Sequence, residues 1–100
     1  RKSQISQKSI YRAQMVFEEL CVQIILPELS DDFKMYIALE YSQDDETITM
    51  QIKYSGKMFN PKDSDNMLSL KLAENAAQSI EYKETDTDGF TNLVIAKIKY

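Results

Sequence analysis

The sequence predicts an α+β fold: a two-layer α/β sandwich, helices on one face of a mainly antiparallel four-stranded sheet, in the order α-β-β-α-β-β. Three observations carry this. Apolar residues recur at helical spacing in two stretches. In two others they alternate with polar residues, and a last apolar pair flanks a polar turn. Only two glycines and two prolines interrupt 100 residues, which leaves little length for irregular loops. Strands with one polar face and helices with one apolar stripe bury both by stacking in two layers.

The first helix is read over residues 7–26, where Ile10, Ala13, Phe17, Leu20, Cys21 and Ile24 fall on one stripe. Pro27 ends it, because a proline pushes the preceding residue out of the α region. Residues 28–32 read as a loop. Phe33, Met35, Ile37, Leu39 and Tyr41 then alternate with Lys34, Tyr36, Ala38 and Glu40, a half-buried strand. After the turn SQDDET, Ile48, Met50, Ile52 and Tyr54 repeat the same period and predict an antiparallel partner. A second helix is expected over about 66–79, with Leu68, Leu72, Ala73, Ala76 and Ile80 along one side and Ser64 or Asp65 as N-cap. Residues 80–83 and 93–100 predict the last two strands, around ETDTDGFT.

One hundred residues make a single domain, 1–100, burying roughly 65% of the surface its unfolded chain exposes. A chain opening on Arg1 is expected to be part of something longer. The net charge of −4, with scattered basic residues, argues against nucleic acid as a partner. No stretch approaches the roughly 20 apolar residues of a membrane span, so no membrane insertion is expected. One cysteine forms no internal disulfide, which makes the cytoplasm the expected compartment. There is no histidine, and with it go the commonest general base and the commonest transition-metal ligand.

Three stretches carry a resemblance. FEELCVQII (17–25) is similar to the first-helix box of histidine-kinase-like and gyrase-type (Bergerat fold) ATPase domains. IKYSGKMFNP (52–61) resembles their first glycine box, with the Phe-Asp/Asn-Pro tail of the anti-sigma regulatory factor branch. DNMLSLKLAENAAQSIEYK (65–83) and NLVIAKIKY (92–100) look like that branch's closing helix and strand pair. The strand and helix that precede the box helix in the family are missing or reduced here. The resemblance implies a general-base position at Glu19, a magnesium-ligand position at Gln23, an adenine-reading position at Tyr54, a turn glycine at Gly56 and a lid glycine near Leu68.

At those positions the chain departs from the family pattern. Gln23 replaces an Asn, and its extra methylene displaces the amide oxygen from a site where magnesium is strict about placement. Tyr54 replaces the Asp that accepts a hydrogen bond from adenine. Its alternation with Ile48, Met50 and Ile52 points it at the helix layer, so its ring is expected to fill the base's place. Leu68 brings a Cβ where backbone N–H groups would approach phosphate. Only Gly56 keeps its residue. The site reads as a degenerate one, and no cofactor is expected; Mg-ATP belongs to the alternative in which Glu19 and Gln23 still work.

Other features have plain readings. Cys21 lies on the apolar stripe as a buried thiol with no base to activate it. The acids and Gly89 of ETDTDGFTN (84–92) are spaced like the start of a calcium loop, but the clasping twelfth position is Ile95, so a charged hairpin turn is expected. The DDE run at 44–46 reads as a solvated turn. Strand tyrosines pack as aromatics do, and the five methionines read as core or adaptable surface.

The function these readings imply is a regulatory module that works by contact with a protein partner, with a homodimer as one form. The alternatives are an active ATP-dependent kinase and a purely structural or dimerisation domain.

Overall fold

The computed structural model describes residues 7–99. It is the expected two-layer α+β arrangement, with α1 (Gln7–Val16), β1 (Met35–Ser42), β2 (Thr47–Tyr54), α2 (Met67–Ala76), β3 (Ser79–Thr87) and β4 (Phe90–Lys99). Every strand pair is antiparallel, in the order β1-β2-β4-β3. The two hairpins lie side by side, because the chain crosses from β2 through α2 to the far edge as β3 and returns as β4 beside β2.

Alternation sets the sheet's inner face. Ile48, Met50, Ile52 and Tyr54 of β2 lie beside Val94, Ala96 and Ile98 of β4, all buried. Val16, Leu20, Cys21, Ile24, Ile25, Leu70 and Ala73 close over them from the helix layer.

Beyond Val16 the helix winds more loosely, as a π-type segment over Phe17–Ile25, where the Leu26 N–H donates to the Cys21 carbonyl five residues back. The looser winding turns the apolar stripe. Residues 16, 20–21 and 24–25 face the core, while Ile10 and Phe17, expected there, remain 44% and 37% exposed. A short 3-10 turn, Leu26–Glu28, carries Pro27.

The second helix departs from its expected face. Ser69, Leu70 and Ala73 are buried, whereas Leu68 is 71% exposed. Its N-cap is Asn66, whose side chain accepts from the Ser69 N–H at 3.2 Å. Ser64, expected with Asp65 as the cap, instead accepts from the Asn66 N–H at 3.0 Å and holds the turn before the helix. The final hairpin also turns more tightly than expected. β3 runs to Thr87, and only Asp88 and Gly89 make the turn, both at positive φ (55° and 86°). Asp-Gly suits that two-residue geometry because it follows the twist of the strands. Thr85 and Asp86 therefore sit in a strand, and no group of residues able to hold a metal ion occurs among the described residues. Tyr100 lies outside the described residues.

Candidate functional site

Tyr54 ends β2 on the sheet's inner face and is fully buried. Its phenol donates to the Phe59 carbonyl at 2.5 Å, which pins the loop that follows the strand back onto the ring. Burial, with the Tyr82 phenol and the Cys21 thiol beside it, pushes the Tyr54 pKa well above the usual tyrosine range. The ring is thus a neutral hydrogen-bond donor with no water to ionise into.

Asn92 is the second centre, and sequence reasoning passed over it. Its Oδ1 accepts from the Phe59 N–H at 2.9 Å and from the Tyr82 hydroxyl at 2.5 Å. Its Nδ2 donates to the Lys57 carbonyl at 3.0 Å, the Tyr54 carbonyl at 3.3 Å and Thr91 Oγ1 at 3.0 Å. One buried amide so joins β2, β4, β3 and the 55–60 loop, and no buried side-chain polar atom among the described residues lacks a partner. A signal was present: Asn92 shares the inward phase of Val94, Ala96 and Ile98, where a polar residue needs a buried partner.

The same loop contains Gly56, at φ +95°, with nothing within 4 Å of the point a Cβ would occupy. Glycine is needed there for the backbone angle rather than for close approach of another group. Thr91 Oγ1 donates to the Gly56 carbonyl at 2.6 Å. Lys57 meets Glu28 at 3.1 Å, both largely exposed, an ion pair worth little in water.

The expected site residues do not converge. Tyr54 and Gly56 share the loop just described. Glu19 is half-buried on the wall of a different hollow, Gln23 is exposed on the π segment, and Leu68 projects from the first turn of α2. No hydrogen bond or ion pair among the described residues joins any of them to Tyr54. Glu19 and Gln23, expected side by side, both lie on the π segment but differ in exposure, Glu19 half-buried and Gln23 exposed. Cys21 is buried as expected, with Sγ 3.5 Å from Met35 Sδ, and burial pushes its pKa up to about 11.

That other hollow is an open groove of about 910 Å³ between the first helix and β1. Its apolar walls include Ile10, Phe17, Ile37, Leu39, Tyr41 and Met50. It exists because α1 packs against α2 and β4 rather than over β1. The inward row of β1, expected in the core, is consequently open: Ile37, Leu39 and Tyr41 are 37%, 62% and 40% exposed.

Comparison with family models, curated proteins and solved structures gives no match. The function therefore rests on the chemistry of these two regions. One is a sealed polar knot under Tyr54, and the other an apolar groove beside β1. Neither holds a nucleophile paired with a base, and the described residues contain no helix long and apolar enough to cross a membrane.

Proposed function

We propose that the domain is a regulatory protein–protein interaction module on a degenerate scaffold of the histidine-kinase-like, anti-sigma type, working in the cytoplasm alone or within a larger protein. The observation that supports this is Tyr54. At the position where the resemblance expects an adenine-reading carboxylate, a fully buried phenol ring lies under the helix layer, tied to the Phe59 carbonyl. The other positions of the resemblance give Mg-ATP little support either. Gln23 is exposed, Leu68 sits on an outward helix turn, and the backbone N–H of Phe59 is already bonded to Asn92. What the domain leaves available is apolar surface, and such surface is suited to contact with a protein.

Millimolar Mg-ATP is predicted to leave the melting temperature unchanged. A ligand at a hundred times its dissociation constant stabilises by about 2.7 kcal/mol, so binding would be plain in a thermal scan. A clear upward shift would overturn this reading in favour of an ATP-dependent kinase, with Glu19 as base and Gln23 on the metal.

A further inference from the structure

We propose that the domain pairs with a second copy of itself through β1. The two strands run antiparallel about a two-fold axis at Ile37, joining two four-stranded sheets into one and closing the two grooves against each other. This names the partner of the interaction reading above, and it does not depend on whether nucleotide binds.

The first argument is the uncovered row. Ile37 and Leu39 on β1, and Ile10, Tyr11 and Phe17 on the first helix, are between 37% and 62% exposed and face one groove. A contiguous apolar face of this kind marks a contact site on a soluble domain. A second copy that continues the sheet through β1 brings its own apolar row beside this one without displacing α1.

The second is the strand's free edge. Ser55 N–H donates to the Lys34 carbonyl at 3.0 Å, and Lys34 N–H donates to Ser55 Oγ at 2.8 Å, so Lys34 spends both backbone groups towards β2. The register from Met35↔Tyr54 to Ser42↔Thr47 then runs without a bulge. By alternation Met35, Ile37 and Leu39 aim their N–H and C=O groups away from β2, at the open edge. A long, regular, apolar edge without proline is a template for another strand.

The third is self-complementarity, which selects a register. With Ile37 opposite Ile37 of the second copy, Met35 faces Leu39 of the second copy on the inner side. On the outer side Tyr36 faces Ala38 and Lys34 faces Glu40, twice over by symmetry. On pairing, the Lys34 ammonium exchanges its present contacts across β2, the Asp88 carbonyl at 3.0 Å and the Phe90 ring at 5.2 Å, for the Glu40 carboxylate of the second copy. Slipping two residues one way brings Glu40 towards Asp32 of the second copy. Slipping two the other way leaves Glu40 against Tyr36. A slip of one residue turns one apolar row outwards. An isologous contact of this form closes on itself and stops at two copies.

Light scattering and sedimentation of the wild-type chain test the pairing directly. The expected mass is about twice 11.6 kDa at concentrations of roughly 100 μM. Ile37→Lys puts two ammonium groups on the axis and is expected to weaken pairing at least tenfold while leaving a cooperative melt. Ile37→Cys is expected to cross-link across the axis under mild oxidation, because directly opposed residues of a hydrogen-bonded pair lie about 5.5 Å apart, within disulfide reach. The native Cys21 is buried and does not compete. Glu40→Lys should weaken the dimer, and the exchange Lys34→Glu with Glu40→Lys should restore it. A monomer throughout this range overturns the pairing, as does a dimer that neither Ile37→Lys disrupts nor Ile37→Cys cross-links. A monomer whose groove instead takes up a helical peptide overturns it too. A dimer that melts higher with Mg-ATP supports the pairing while counting against the nucleotide-free reading.

Discussion

At one edge of the sheet, β3 carries Glu81, Lys83, Glu84 and Asp86 along an exposed strand, and its pairing slips between Glu84 and Thr87. At the other, β1 keeps an unbroken register and carries Ile37, Leu39 and Tyr41 on one face. Charge and irregularity blunt an edge against further pairing; a smooth apolar edge invites it. The difference traces to the helix layer. Two helices cover β2, β4 and the first residues of β3, and α1 leans on β4. Their width runs out before β1. The same alternation that seals β2 therefore leaves β1 as a surface.

The largest effect expected from this contrast compares two like positions on neighbouring strands. Ile52 is fully buried, so Ile52→Ala should cost about 3 kcal/mol, the transfer energy of the lost carbons plus the cavity left behind. Leu39, at 62% exposure, should cost less than about 1 kcal/mol as Leu39→Ala in dilute solution. Denaturant titration measures both. In concentrated solution the Leu39→Ala cost should grow, because a dimer that binds the folded state only adds stability by mass action. Equal costs for the two variants at low concentration would mean that β1 is covered after all, and the contrast would fail.

That contrast also shows how far the sequence is legible. Period-two alternation gave the phase of β1 and β2 correctly, and with it the inward aim of Tyr54, because phase is a property of one strand. What lies above the strand depends on where a helix packs, and Ile37 and Ile52 look alike on that point. Helical spacing misplaced Ile10 and Phe17 for another reason: it assumes α winding, and the π segment turns the stripe. In α2 the pattern favoured Leu68 over Ser69, yet Ser69 is the buried one, so tertiary placement overrode hydrophobicity. Of the candidate site, Tyr54 and Gly56 were legible as one loop. That Glu19, Gln23 and Leu68 stand apart was not, since separation in space is set by packing rather than by motif order.

A smaller effect separates the sealed half by pH. The Cys21 thiol, ordinarily titrating near 9.0, is pushed up to about 11 by burial. In this window the unfolded chain loses its proton first, so the folded state binds more protons and stability falls as pH rises. The contribution is complete below about pH 9 and gone above about 11, on the order of 2 kcal/mol across the window. Tyr54, also raised by burial, extends the decline to higher pH. Cys21→Val should remove the fall in urea midpoints that sets in near pH 9, leaving the decline that Tyr54 brings from its ordinary value near 10 upwards. An unchanged slope would mean that the thiol is open to water, and the covered half would then be less tightly closed than its geometry implies.

The smallest effect belongs to the blunted edge, and it decides which edge pairs. Glu81→Ala and Lys83→Ala remove exposed charges from β3 and should each shift stability by no more than about 0.5 kcal/mol. Neither should alter the sedimentation of the dimer. The bulge between Glu84 and Thr87 still interrupts the run of edge N–H and C=O groups, so loss of charge alone does not turn β3 into a template. If either substitution abolished dimerisation while Ile37→Lys did not, β3 would be the edge that pairs. The irregular strand would then make the contact, the apolar groove beside β1 would have to be filled from outside the chain, and the assignment of the two edges would be reversed.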